Sequence, residues 1–593
     1  MLDLKYPSFI KSLFILVSSL PPRRHTQLLI LLALMLVAAI VEMISLGAIV
    51  PFLAILSDPE QAIKTPLVAQ VVAAMGLGAD KDIRWELTVM FAGAALAAGI
   101  LRFMLIYAAA KINFGIGHEL GAEVYRRTLY QQYEVHIARN SSEIMGGVSK
   151  VDNVVFVIYS MINTVSVIIM AIAIIVTLLL IDSFVSCIAL CSFGSIYIGI
   201  SFLTRKRLVE SSDIVNIAYN ARIQCMQEGL GGIRDILLDH AQPLFSKRFN
   251  EIDWPMRQAQ ASVSIIGPSP RFAVEALGTI LIALLGYYMM TSGGGVVAAL
   301  PTLGALALGA QRLMPLLQQS YQGWVYVKSS RQILIDVASL LQQTIESKKN
   351  EKFTALPFNY EIRIENVSFK YQSHLPFILR KLNLRISKGA RIGFIGATGS
   401  GKSTLIDLLM GLLQPISGQI SVDDTPITGG ARMDWQRNVA HVPQSIFLAD
   451  ASFAENIAFA VQTDLIDIDR VKRAAQQAQI AEFIESSPSG YAAKVGERGV
   501  RLSGGQRQRI GIARALYREA KILVLDEATS ALDNETESSV MQAIESLSDE
   551  YTTLIIAHRL TTLKNCTQIV ELSDGSIKNI GTFKDFFPKV LDL

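Results

Sequence analysis

With 593 residues, the chain is too long for a single core and predicts several domains. Its residues are 51% hydrophobic and 18% charged, against about 45–50% and 25% in soluble domains, so part of the chain does not belong to a soluble protein. A net charge of +3 leaves no nucleic-acid footprint. The four cysteines (Cys187, Cys191, Cys225, Cys566) have no metal-ligand spacing and imply no disulfide framework.

The apolar excess lies in residues 1–325. Lys5, Lys11 and a short apolar run are followed by Pro21-Pro22-Arg23-Arg24 rather than a small-residue cleavage site. This start predicts an amphipathic helix lying on a membrane, not a signal peptide. Apolar runs at 27–56, 87–112, 154–181, 183–203, 272–290 and 296–317 are each long enough to cross a bilayer, giving six spans. Residues 67–75, between the first two, predict a short extra helix outside the bilayer. Lys and Arg crowd the N-terminus and the segments 111–150 and 205–257, whereas the third-to-fourth and fifth-to-sixth connections carry none. The positive-inside rule then puts both termini in the cytoplasm. The two basic segments are too apolar and too helical in pattern for disordered loops. They predict cytoplasmic extensions of the spans, turning near 136–142 and 239–245.

Residues 326–356 predict a helical linker. From 357 to 593, β-like runs alternate with helical patterns, which argues for an α/β domain with parallel strands at its centre. The fold class expected is an all-α six-helix transmembrane domain followed by an α/β P-loop ATPase domain.

The motif for that assignment is Gly396-Ala-Thr398-Gly399-Ser400-Gly401-Lys402-Ser403-Thr404. It sits between an apolar strand (391–395) and the first turns of a helix (405–410), the context a phosphate loop needs. Glycines let consecutive backbone N–H groups wrap a polyphosphate, and the helix N-terminus adds its positive end. Lys402 would reach the β- and γ-phosphates of ATP and Ser403 would bind Mg²⁺. Farther on, Ile522-Leu-Val-Leu-Asp526-Glu527 is an apolar strand ending in two carboxylates. A strand presents such residues beside the loop of the neighbouring strand, so Asp526 is expected to hold Mg²⁺ and Glu527 to act as general base.

Leu502-Ser503-Gly504-Gly505-Gln506, opening an Arg- and Gln-rich helix about 20 residues before that strand, resembles the signature of the ATP-binding cassette (ABC) family. The resemblance covers nearly the whole chain and implies an exporter-type half-transporter. By that resemblance Tyr371 stacks on adenine, Gln444 links Mg²⁺ and water to the membrane domain, and His558 contacts the γ-phosphate. Gly496-Glu-Arg-Gly499 resembles the segment that touches the cytoplasmic helix tips, and Ser530-Ala-Leu-Asp533 the loop that crosses to the partner cassette. In this family Ser503, Gly504, Gly505 and Gln506 of one cassette close over the nucleotide of another. One chain carries one bundle and one cassette, so a homodimer with two competent ATP sites is implied.

Charges within spans are costly and mark a substrate path or a buried pair. Arg102 and Arg312 lie about 15 and 16 residues from the outer ends of their spans, roughly 22–24 Å down at ~1.5 Å per residue. Arg271 opens the fifth span from the inside. Three guanidiniums at similar depth suit a phosphate or pyrophosphate head group. The alternatives are that Glu275 neutralises Arg271, that Glu42 pairs with another arginine, or that any of the three snorkels to the interface. The membrane half is similar to flippases of lipid-linked oligosaccharides, which move a polyprenyl-pyrophosphate glycolipid across the bacterial inner membrane. Competing expectations are a lipid A or phospholipid flippase, a multidrug exporter and, outside transport, an ATP-gated channel or regulatory subunit. No processing domain, as in peptide exporters, is expected before the first span.

Overall fold

The computed structural model describes residues 9–57, 84–138, 141–181, 183–291, 295–343, 345, 354–372, 374–496, 499–527, 534–545, 551–556 and 560–588. The helix expected at 67–75 and the linker residues 346–353 lie outside them. The chain divides into two compact units, Met1–Gln131 with Arg139–Ile345, and Gln132–Ala138 with Glu346–Leu593.

The helices up to the linker are α1 (Phe9–Ser18), α2 (Pro22–Gly47), α3 (Ile49–Ser57), α4 (Arg84–Leu129), α5 (Tyr133–Ala138), α6 (Ser141–Ile181), α7 (Ser183–Gly231), α8 (Ile233–Leu238), α9 (Gln242–Ile266), α10 (Ser269–Thr291), α11 (Gly295–Ser329) and α12 (Arg331–Leu341). All but α5 belong to the first unit. Among the described residues, Pro22–Leu56, Trp85–Leu129, Lys150–Ile181 and Ser186–Gly231 are long and apolar enough to cross a membrane. The fifth and sixth expected spans lie in the continuous helices α10 and α11. The first span corrects the expectation of one helix: it breaks at Ala48 into α2 and α3. Pro51 explains the break, since it has no N–H to donate to Gly47 and its ring crowds that carbonyl.

The extensions beyond the spans are helical, as the basic segments predict. At 46 residues α4 is ~69 Å long, about twice the ~30 Å hydrocarbon thickness. Within the unit, α11 packs along α6, α9 along α7, and α2 against α4 and α6. One core joins Ile15 and Leu16 of α1 to Ile116, Leu120, Val154 and Leu334 on α4, α6 and α12. On its other side α1 leaves Ile10, Phe14 and Val17 exposed, the apolar stripe expected of a helix at a membrane surface. Leu29, Ile30, Leu36, Val37 and Ile40 of α2 are exposed in the same way, as lipid-facing side chains are.

The second unit carries ten strands among the described residues: β1 (Glu361–Phe369), β2 (Leu379–Ser387), β3 (Arg391–Ile395), β4 (Ser417–Val422), β5 (Thr425–Pro426), β6 (Val439–Val442), β7 (Ile522–Asp526), β8 (Thr552–Ile556), β9 (Gln568–Ser573) and β10 (Ser576–Gly581). A four-stranded antiparallel sheet runs β2-β1-β4-β5 and a six-stranded sheet β10-β9-β3-β8-β7-β6. In the larger sheet only the edge strand β10 is antiparallel. Trp435, Phe358, Phe369 and Phe394, with Leu405 and Leu408 from the helix after the phosphate loop, fill the core between the sheets. The acidic strand β7 is not the immediate neighbour of β3, contrary to expectation; β8 lies between them. All five β8 residues are buried, which suits a Thr-Thr-Leu-Ile-Ile run to the middle of a parallel sheet.

Candidate functional site

The phosphate loop joins β3 to α13 (Lys402–Leu409). Gly396, Gly399 and Gly401 have φ of +145°, +84° and +100°. At Gly396 the space is closed as well, since a Cβ would stand 2.2 Å from the Leu572 carbonyl oxygen. Gly401 caps α13 without a side-chain hydrogen bond, which leaves the first-turn N–H groups to an incoming anion. Lys402 is only 8% exposed and donates to the carbonyls of Gly396 (2.8 Å) and Ala397 (3.0 Å). The Ser400 hydroxyl is buried with no partner among the described residues. An orphaned hydroxyl and a buried ammonium on the same loop fit a phosphate that would satisfy both.

Tyr371 lies edge-on to Phe369 and its hydroxyl is 3.1 Å from that of Thr404 on α13. Glu527 follows the end of β7 at φ +49°, its N–H donating to the Ile556 carbonyl (3.1 Å). Its carboxylate accepts from the Gln444 amide (2.7 Å), so the structure joins the expected base and the expected glutamine directly. Sequence reasoning missed Asp407 on α13. Burial and the neighbouring charge of Asp526 push its carboxyl up to about 6. This pair of carboxylates fits a divalent cation, since Mg²⁺ characteristically takes one or two carboxylates plus nucleotide phosphates. The helix α5 brings Tyr133 to this unit; burial and the charge of Asp407 push its phenol up.

The signature opens α14 (Gly504–Tyr517). Ser503 is its N-cap: the hydroxyl accepts from the Gln506 N–H (3.2 Å) while the Gln506 side chain accepts from the Ser503 N–H (2.9 Å). This capping box fixes the serine and keeps Gly504 and Gly505 at the surface. His558, residues 497–498 and the Ser530–Asp533 segment lie outside the described residues.

In the first unit, two of the three singled-out arginines meet. Arg102 on α4 grips Glu42 of α2 with Nε (3.0 Å) and Nη2, and Nη1 of Arg312 on α11 reaches the same carboxylate at 2.7 Å. Arg271 stands apart from this cluster and pairs with Glu275 one turn on (2.6 Å).

A loop with three left-handed glycines, leading into a helix whose first turn no side chain caps, is built for polyphosphate. With membrane-length helices on the same chain, the class is a membrane-bound P-loop ATPase. The family model for the ABC transporter matches residues 379–530, and that for the ABC transporter transmembrane region matches 27–305. The ATP-dependent lipid A-core flippase of Ralstonia nicotianae is 32% identical over 378 residues, 62% of each chain. Its namesake in Cupriavidus metallidurans is 27% identical over 85% of each chain. A solved bacterial Atm1-family ABC exporter with ATP bound shares the fold over 94% of this chain and 96% of its own, with a TM-score of 0.73 at 24% identity. The chain therefore belongs to the ABC transporter family, a transmembrane region of exporter fold fused to an ATP-hydrolysing cassette that powers transport.

Proposed function

We propose that two copies of this chain form a transporter that flips an anionic lipid-linked substrate, a polyprenyl-pyrophosphate oligosaccharide, across a bacterial inner membrane by alternating access, with both termini cytoplasmic. The observation behind the substrate class is the shared carboxylate. Arg102 and Arg312 sit on a membrane bundle and have one Glu42 between them, which leaves positive charge over in an apolar setting. Guanidinium pairs suit phosphoryl oxygens, which they can bind bidentately. A multidrug cavity, mostly apolar and aromatic, gives no reason for that charge.

In the cassette, Lys402 and the amides of the phosphate loop would bind the ATP phosphates, with Tyr371 against adenine. Ser403 and Asp526, with Gln444, would hold Mg²⁺, which supplies charge neutralisation at the β- and γ-phosphates. Glu527 would take the proton from water and His558 would contact the γ-phosphate. Ser503 and its glycines would close over the nucleotide of the partner subunit.

A second reading, a lipid A-core or phospholipid flippase, is favoured by the names of the relatives. One assay separates the two. In proteoliposomes, ATP hydrolysis and flipping should respond to a polyprenyl-pyrophosphate glycolipid more than to lipid A. Changing Arg102, Arg271 and Arg312 together to Ala should abolish that response; an intact response in the triple variant would overturn the anionic-head-group assignment.

A further inference from the structure

The Glu42 carboxylate is fully buried, while the side chains of Arg102 and Arg312 are 42% and 25% exposed. The acid therefore sits behind and the two guanidiniums in front. Glu42 takes one whole edge of Arg102, its Nε and Nη2, but only Nη1 of Arg312, which also contacts the Ser45 hydroxyl (3.3 Å). Nη1 of Arg102 and the Nε–Nη2 edge of Arg312 have no partner among the described residues. That second edge is a complete fork, the geometry that binds two oxygens of one phosphoryl group. Two guanidiniums set against one carboxylate leave a single positive charge.

We infer that Glu42 is the positioning residue of the head-group site and sets how tightly it holds its anion. The carboxylate fixes both guanidinium planes in advance, so little side-chain freedom is lost when the anion arrives. It also trims the charge of the site from two to one. A site of charge two in an apolar bundle would hold a phosphoryl group too firmly to release it within a transport cycle, since interaction energies grow as the local dielectric falls. Because the triad joins α2, α4 and α11, the setting is shared by three helices. The ligand class is a phosphate-bearing lipid, and the inference rests on the substrate reading given above.

The test uses the full-length protein in phosphatidylcholine nanodiscs doped with increasing polyprenyl pyrophosphate, uncharged polyprenol or phosphatidylglycerol, with ATP hydrolysis as the readout. Glu42→Gln keeps the shape and removes the charge. It should lower the polyprenyl pyrophosphate needed for half-maximal stimulation about tenfold and also lower the maximal rate several-fold. A merely structural role would instead raise the half-maximal concentration or move nothing, and either result overturns the inference. If Glu42→Gln does not fold, Glu42→Asp keeps the charge and pulls it back by one methylene. That variant should raise the half-maximal concentration several-fold and leave the maximal rate close to that of the parent; an unchanged half-maximal concentration, or a maximal rate that falls alongside it as a structural defect would give, overturns the inference. Arg102→Ala and Arg312→Ala separate the two levels. If they keep full stimulation by polyprenyl pyrophosphate, the substrate reading itself fails. If they lose it while Glu42→Gln behaves as the parent does, only the role of Glu42 fails. Equal stimulation by phosphatidylglycerol would identify the ligand as any anionic phospholipid, against the polyprenyl assignment.

Discussion

Glu527 holds a left-handed backbone angle that a non-glycine residue adopts at a cost of roughly 1 kcal/mol or more, and its carboxylate is tied to the Gln444 amide at 2.7 Å. Strain of this kind persists where the surroundings over-determine the conformation, here through the Ile556 carbonyl and the Gln444 amide. Glu527→Gln keeps the size of the side chain and loses its basicity. ATP hydrolysis should fall by at least about 100-fold while ATP binding is retained. Steady-state hydrolysis and equilibrium binding of labelled ATP check this; loss of binding alongside would make Glu527 a structural residue. Asp407 gives a different signal. Its carboxyl sits at about 6 in the folded protein against an ordinary 3.8, held up by burial and then by the charge of Asp526. The folded state thus binds the proton more tightly than the unfolded one. That contribution to stability is complete below about pH 4 and is lost as the pH rises through 6. With nucleotide and divalent cations removed by a chelator, Asp407→Asn should be more stable than the parent at pH 7, by about 1–2 kcal/mol after allowing for solvent screening, and show no gain at pH 4. Thermal melts of the full chain at the two pH values decide it.

At the scale of elements, the close approach of α11 to α6 depends on Gly323. A Cβ there would fall 1.8 Å from the Thr164 hydroxyl oxygen and 3.4 Å from that of Ser160. Alanine there needs the Thr164 hydroxyl to swing away, and the larger Gly323→Leu should destabilise the bundle by about 1–3 kcal/mol. The measurement is the melting temperature in detergent; an unchanged value would mean the helices do not pack at that distance. This glycine was not legible in the sequence, because a contact between helices 159 positions apart leaves no periodic trace. The helices themselves were legible, since uninterrupted apolar runs need no partner to be recognised. The break at Pro51 was missed because hydropathy passes over it, although the proline was in plain view. In the cassette, the strand at 391–395 and its glycine loop were read with matching bounds, because the loop chemistry constrains both neighbours. The polar strand Ser576–Gly581 was not, since it lies at a sheet edge and carries no alternating apolar pattern. The insertion of β8 between β3 and β7 could not be read either, because strand order is set by crossovers rather than by local composition. Of the three singled-out arginines, the residue types were legible and the depths were an expectation; which of them would share Glu42 was left open.

For the whole molecule, the question is whether the signature acts within its own chain or on another. Ser503 is the N-cap of α14, fixed by Gln506, so its position follows the helix rather than a free rotamer. The phosphate loop lies after β3, and the described residues include no side-chain hydrogen bond from Ser503 to that loop. A composite site made by two copies, each supplying one half, predicts a specific covalent product. With Cys187 and Cys191, the exposed thiols, replaced by serine, a chain carrying Ser503→Cys and Thr398→Cys should oxidise to a species of twice the chain mass. Glu527→Gln should be included, so that bound ATP is not consumed. The product should increase several-fold when Mg²⁺ and ATP are added, because nucleotide draws the two halves together. A chain with only one of the two new cysteines should give little of it. If the double variant instead forms an internal disulfide, seen as a faster-migrating monomer, the two motifs meet within one polypeptide and a dimer is not needed to complete the site. If ATP leaves the yield of the double-mass species unchanged, dimerisation is independent of the nucleotide, and cassette closure cannot be what drives the membrane bundle.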